Sequence, residues 1–155
     1  MLGNDNKYLN YTKQELFIIN LIIIVNLIFD MSSCIFCRLP KKRIINQSDC
    51  FIVTEDRYPI SENHTLIVSK RHVRYFSELT PQERLDLVEL TFSTQQSLKE
   101  GFNYEDFNIG INDGEYAGQT IHHFHLHIIP RIKGDTDNPK GGIRWILPKK
   151  AKYWT

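Results

Sequence analysis

The sequence predicts an α+β domain: an antiparallel sheet with one long helix packed on it. Short runs rich in β-branched and aromatic residues recur between turn signals, which is a strand pattern. The stretch opening at Thr80-Pro81-Gln82-Glu83 pairs a capping box with a helical apolar period. At 155 residues the chain suffices for one domain with a real core and falls short of two of typical size.

The most apolar run is Phe17 to Phe29 (FIINLIIIVNLIF), thirteen residues interrupted by Asn20 and Asn26. A bilayer-spanning helix needs about 20. Lys7 and Lys13 precede the run as in a signal peptide, yet no A-x-A cleavage site follows, and Met31-Ser32-Ser33-Cys34 matches a lipoprotein box only faintly. The segment is dominated by Ile, Asn, Leu, Phe, Tyr and Lys, whose codons are rich in A and T. Translation of upstream sequence ahead of a start at Met31 accounts for that better than membrane anchoring does. Residues 1–30 are therefore expected to be a non-core extension, and 31–155 the domain with its C-terminal tail.

From Met31 onward the chain meets a C-x-x-C, Cys34-Ile35-Phe36-Cys37, then a basic turn at Leu39-Pro40-Lys41-Lys42. Arg43 to Gln47 and Cys50 to Thr54 read as strands joined at Ser48-Asp49. Asp56 to His64 is a loop. Thr65 to Ser69 is a further strand, closed by Lys70-Arg71-His72. The helix takes Thr80 as N-cap and Pro81 at its first position, with Leu85, Val88, Phe92 and Leu98 as the expected buried stripe and Gly101 as the stop. Phe107 to Asn112 is a strand whose turn, Asp113 to Gly118, leads into a hairpin partner. After Pro130 come a polar Gly/Pro-rich segment and an aromatic-basic tail, with no internal repeat.

That partner, Ile121 to Ile129, has no Gly or Pro. Side chains alternate along a strand, so His123, His125 and His127 would share one face and Phe124, Leu126 and Ile128 the other. Same-face neighbours on a strand stand about 7 Å apart. Three of the chain's six histidines on one face mark a metal site, a pH switch or a reaction centre. The net charge of +1 offers no global attraction for nucleic acid or membrane, so neither is an expected partner. Cys34, Cys37 and Cys50 are too few for a disulfide scaffold and point to a reducing, cytoplasmic setting.

His123-Phe124-His125-Leu126-His127-Ile128-Ile129 resembles the histidine triad (HIT) pattern without a departure. Asn112-Asp113-Gly114, Gly118-Gln119-Thr120 and His64 to Val68 also fall where that family has counterparts, so the resemblance covers most of Cys34 to Arg131. Gly134 to Trp154 is similar to the tail of bacterial members described as diadenosine-tetraphosphate-type hydrolases. Asn63 stands where relatives often show Gly, and Asn tolerates positive φ, so the turn should be kept.

The resemblance implies a HIT-like fold, a homodimer, a purine-nucleotide pocket, and hydrolysis or transfer at the α-phosphate. It makes His125 the nucleophile of a nucleotidyl-histidine intermediate. His127 would contact phosphate or protonate the leaving group, Asn112 and Thr120 would hold phosphate oxygens, and Asp56 the ribose. Phe36 and Leu39 would line the base pocket. Each has a local alternative: Asp56 as a turn residue before Pro59, Asn112 and Thr120 as hairpin bonds, Phe36 as core. His64 either supports the triad or caps a strand. Zinc-bearing relatives also imply a structural zinc on Cys34, Cys37, His72 and His123, the alternative being two reduced thiols and a surface histidine. With zinc bound, His123 is a ligand and not a phosphate contact. The implied activity is hydrolysis of dinucleoside polyphosphates, with a nucleoside phosphoramidase or a non-catalytic nucleotide or zinc-binding module as alternatives. His127 stands where the nucleotidyltransferase branch usually carries Gln, which argues for hydrolysis. Arg144 and Lys149 are candidates to reach a distal phosphate.

Overall fold

The computed structural model describes residues 11–154, apart from the side chains of 26–31. The expected extension thus lies partly outside the described residues. The chain divides into two compact units, Met1–Ser33 and Cys34–Thr155.

In the first unit, α1 (Lys13–Ser33) runs unbroken through Met31. A capping box starts it: the Glu15 backbone N–H donates to Thr12 Oγ1 at 3.2 Å, and the Thr12 N–H donates to the Glu15 carboxylate at 2.7 Å. Leu16 to Val25 are exposed on every side of this helix. Among the described residues, no helix is long and apolar enough to cross a membrane.

The second unit is built on five strands: β1 (Ile44–Gln47), β2 (Phe51–Glu55), β3 (Thr65–Ser69), β4 (Asp106–Gly110) and β5 (His125–Arg131). Their order is β1-β2-β3-β5-β4, antiparallel throughout. The long helix α2 (Pro81–Phe102) carries the chain from β3 to the edge strand β4, and β5 then returns between them. Register places Val68 opposite His125 and Leu66 opposite His127. Alternation therefore sorts the two faces. Phe124, Leu126 and Ile128 join Phe51, Val53 and Ile67 beneath Leu87, Leu90 and Leu98 of α2. The opposite face carries Phe36, Ile52, Leu66 and Val68, together with the two strand histidines.

Two elements depart from the sequence expectation, the long helix and the last strand. The buried residues of α2 are Glu83, Leu87, Leu90, Thr94 and Leu98, whereas Leu85, Val88 and Phe92 are exposed at 64%, 64% and 59%. The helix carries two apolar stripes, and periodicity alone does not say which one meets the sheet. Its end also lies past Gly101, at Asn103, which takes the left-handed conformation with φ 59°. The Thr80 cap, Pro81 and the reciprocal Glu83 bond stand as the sequence predicted.

The second correction concerns β5, which begins at His125, not Ile121. His123 N–H donates to the Ile121 carbonyl at 2.8 Å, closing a three-residue turn, and Phe124 N–H donates to Val73 O at 2.6 Å. The bend takes His123 off the strand. At the far end the strand continues through Pro130 to Arg131. In the Asp56–His64 loop, Asn63 has φ 60°, as its tolerance for that region predicted.

Candidate active site

His123 is fully buried, and its ring faces a cluster of thiols and a second imidazole. Its Nδ1 lies 3.3 Å from Cys34 Sγ, 3.5 Å from Cys37 Sγ and 3.1 Å from His72 Nδ1, and Cys37 Sγ is 3.1 Å from His72 Nδ1. Tetrahedral zinc with Zn–S near 2.3 Å and Zn–N near 2.0 Å sets ligand separations of about 3.3–3.7 Å. The donor set fits such an ion. Nε2 of His123 sits 2.7 Å from the Ser69 carbonyl; a carbonyl only accepts, so Nε2 carries the proton and Nδ1 turns its lone pair toward the cluster. With both ring nitrogens so placed and no exposure, His123 faces the thiol cluster and does not line the cleft that holds His127.

The backbone of the same residue positions its neighbour. His125 Nδ1 lies 2.8 Å from the His123 carbonyl oxygen. Nδ1 must therefore be the protonated nitrogen, which leaves the Nε2 lone pair of the neutral ring for other partners. The Phe36 ring, held between the two cysteines in sequence, stands 5.2 Å from the His125 ring and 5.7 Å from that of His123. Phe36 is both part of the small core and a wall beside the nucleophile candidate.

His127 follows at 5.1 Å from the His125 ring. Its Nδ1 is 3.0 Å from His64 Nε2, and the Ile60 N–H donates to His64 Nδ1 at 3.4 Å. Asp56 Oδ2 approaches His64 Nδ1 only to 3.6 Å, beyond hydrogen-bond range. Taken in order, Ile60 fixes the His64 lone pair on Nδ1, His64 Nε2–H donates to His127 Nδ1, and His127 Nε2 is left protonated. That Nε2 is buried with no hydrogen-bond partner. Burial, reinforced by the adjacent His125 and His64, lowers the His127 pKa to about 4, and burial lowers that of His64 as well. His127 is thus a neutral ring presenting a spare N–H. His64 was the residue whose role the sequence left open; its loop brings it to the triad across 63 positions.

Asp56 lies within 3.9 Å of His127 Nδ1, and its carboxylate also takes the Tyr58 N–H at 2.8 Å, so the expected turn bond is present beside the site. Asn112 and His127 line one cleft of about 760 Å³. Thr120 is exposed in the loop ahead of the bend. The Arg144 guanidinium donates to the Ala151 and Lys150 carbonyls, both at 3.0 Å, and lies 4.9 Å from the centre of the Tyr153 ring, so it is engaged within the tail.

Several known proteins are similar to this chain. The asymmetrical bis(5'-nucleosyl)-tetraphosphatase of Schizosaccharomyces pombe is 44% identical over 77 residues, spanning 50% of this chain and 42% of that protein. A bis(5'-adenosyl)-triphosphatase of Dictyostelium discoideum is 37% identical over 101 residues, 61% of this chain and 68% of that one. Among solved structures, a zinc-bound histidine triad protein from Mycobacterium smegmatis superposes with a TM-score of 0.63 at 30% identity, covering 68% of this chain and 80% of that one. A family model described as the HIT domain matches residues 38–134. The chain belongs to the histidine triad family.

Proposed function

We propose that this protein hydrolyses dinucleoside polyphosphates at the α-phosphate through a nucleotidyl-histidine on His125. The observation that carries this reading is the bond from His125 Nδ1–H to the His123 carbonyl, which leaves Nε2 as the ring nitrogen available for attack. Nε2 attacks the α-phosphorus; a P–N bond forms, the P–O bond to the next phosphate breaks, and the nucleoside polyphosphate leaves as an anion. Water then adds to phosphorus, the P–N bond breaks, the mononucleotide departs and the surplus proton passes to solvent. Splitting the displacement avoids one difficult attack by water.

The neighbours have corresponding tasks. His127 donates its spare Nε2–H to a phosphate oxygen, joined by Asn112 and Thr120 as charge shifts in the transition state. Asp56 holds the ribose hydroxyls and Phe36 walls the purine. A His127 that stays neutral above about pH 4 also favours a phosphoanhydride over a phosphoramidate. The former expels a stabilised anion, whereas an amine must leave protonated.

Cys34, Cys37, His72 and His123 would hold one zinc, supported by their spacing and by the zinc-bound relative. When bound, the ion supplies cross-linking only, since four protein ligands leave no position for water. Homodimerisation is supported by the exposed Leu85, Val88 and Phe92 and by the edge position of β4. Residues 1–30 are read as an extension outside the catalytic domain, and thiolate ligands suit a cytoplasmic, reducing compartment.

The test is His125→Asn, assayed beside the parent with diadenosine tetraphosphate, diadenosine triphosphate and an adenosine phosphoramidate. Mononucleotide release should be abolished in the variant while nucleotide binding is retained, and the parent should prefer the polyphosphates. Undiminished hydrolysis by the variant removes His125 as nucleophile, and a parent preference for the phosphoramidate moves the enzyme to P–N cleavage.

A further inference from the structure

The turn of residues 113–119 is bracketed by Asn112 and Thr120, the two residues given above to phosphate oxygens. A second stretch of chain, His72 to Phe76, lies along it. The Phe76 N–H donates to Asp113 Oδ1 at 2.8 Å, and Val73 O accepts the Phe124 N–H at 2.6 Å. A Cβ added at Gly114, whose φ is 106°, would stand 3.5 Å from the Tyr75 ring. Between these contacts two bonds join Arg74 to Gln119. Gln119 Nε2–H donates to the Arg74 carbonyl at 2.8 Å, and Arg74 Nε–H donates to Gln119 Oε1 at 3.1 Å. Gln119 is buried, so its amide is a fixed acceptor, and the Tyr75 ring backs the guanidinium at 5.0 Å.

The charge of this guanidinium is left over. Arg71 is paired with Glu83 and Arg131 with Asp135, while Arg43, Arg84 and Arg144 donate to backbone carbonyls. Glu78 is the acid closest to Arg74 in sequence, and its carboxylate accepts the backbone N–H groups of Arg74 and Tyr75 at 2.8 and 2.7 Å. Among the described residues, the Arg74 guanidinium makes no ion pair, and its one hydrogen bond uses Nε. Both terminal amines of a partly buried arginine are thus unengaged. Such a planar fork matches a phosphate, and the cost of keeping a half-desolvated cation unpaired is offset when an anion arrives.

We infer that Arg74 binds the phosphate next to the α-phosphate, on the departing side of the scissile bond. Gln119, which holds the guanidinium, is followed directly by Thr120, and consecutive Cα atoms stand about 3.8 Å apart. An α-phosphate held at Thr120 and Asn112 therefore brings its neighbour within reach of the fork. Breaking the P–O bond adds negative charge to that neighbour, and Arg74 meets it with a positive charge already in place. The inference rests on the hydrolase reading above and names its specificity determinant: Arg74 selects a second phosphate over an amine as the leaving group.

Equilibrium binding to the His125→Asn protein tests it, with diadenosine tetraphosphate and AMP as probes, beside turnover in the chain that keeps His125. Loss of charge-assisted bonds to phosphate predicts that Arg74→Gln weakens diadenosine tetraphosphate about tenfold or more and AMP less than about twofold. Arg74→Lys, which keeps the charge and loses the fork, should fall between parent and Arg74→Gln. In turnover, Arg74→Gln should lower kcat/KM for diadenosine tetraphosphate about tenfold or more and leave that for an adenosine phosphoramidate as it was. Arg74→Ala serves the same purpose should Arg74→Gln fail to fold, since the Gln119 bond to the carbonyl of residue 74 is a backbone bond. An equal loss for both probes makes Arg74 a brace for the turn and overturns the inference, and so does no loss at all. A binding loss confined to diadenosine tetraphosphate, in a chain that does not hydrolyse it, keeps Arg74 and removes the hydrolase. Hydrolysis of diadenosine tetraphosphate that is indifferent to Arg74 does the reverse.

Discussion

Acid should destabilise this fold through His127, by an amount the site itself sets. Burial, with help from His125 and His64, holds its folded-state pKa at about 4, against 6.5 for the free side chain. At neutral pH both folded and unfolded chains carry the neutral ring, so nothing is gained or lost. As pH falls through 6.5 the unfolded chain takes up the proton and the folded one does not, so stability declines until about pH 4, where the folded ring also protonates. At about 1.4 kcal/mol for each pKa unit, the ceiling is about 3 kcal/mol. The His127 side chain is 20% exposed, and solvent screening brings the expected loss to about 1–2 kcal/mol.

The measurement is urea unfolding of the parent and of His127→Gln between pH 7.5 and 4, in steps, with the difference taken at each pH. Gln has a similar size and no titration in that window, so the parent should lose about 1–2 kcal/mol more than the variant on acidification. Release of a metal from the Cys34 cluster would affect both chains and cancel in the difference. Parallel stability curves for the two proteins would refute the claim that this ring is held neutral by its surroundings.

Three further outcomes follow from other parts of the molecule. Cys34→Ser should lose about one zinc per chain by metal analysis, and the loss should raise KM through Phe36 and lower kcat through the His123 carbonyl; a parent without zinc, or kinetics unchanged in the variant, speaks against the cluster as a support for the site. Phe92→Glu alters a residue 59% exposed in the single chain, so urea stability at low concentration should hold while the mass from sedimentation falls from dimer to monomer. Thr80→Ala removes the acceptor of the Glu83 N–H and should cost about 1 kcal/mol in urea unfolding, with no change in turnover.

What the sequence made legible is whatever local pattern specifies. Thr80, Pro81 and Glu83 cap a helix because the bonds involved span three residues, and Asn63 adopts positive φ because its own side chain tolerates it. Thr65–Ser69 emerged with its bounds intact, since a strand buried along its length reads as a continuous β-rich run. The joint presence of Cys34, Cys37, His72 and His123 was readable only through resemblance, and the fold brings their donor atoms within 4.8 Å of one another. Tertiary choices were less legible. Both stripes of α2 satisfy helical periodicity, and the core selects Leu87 and Leu90 over Leu85 and Val88. The bend at Ile121–Phe124 is imposed by the Val73 carbonyl, far away in sequence, so alternation extended the strand too far. The Thr12–Glu15 capping box was local and visible, but setting the first thirty residues apart from the fold left it unread.

His123 links the Cys34–Cys37–His72 cluster to the proposed nucleophile, His125. Its ring reaches the thiols through Nδ1 and anchors on Ser69 through Nε2, so the ring plane is fixed at both ends. Its carbonyl, on the backbone just before β5, then holds His125 in one tautomer. Phe124 also ties the bend down, its N–H donating to Val73 O at 2.6 Å and its carbonyl accepting from Ser69 N–H at 3.2 Å, and the His123 ring adds a further anchor. The cluster thereby braces the proposed reaction centre: it ties down the bend, and the His123 carbonyl accepts from Nδ1–H of His125. By the same path the cysteines hold Phe36 against the histidine rings. Orientation of the proposed nucleophile and of the Phe36 ring beside it thus share one origin, in a fully buried residue.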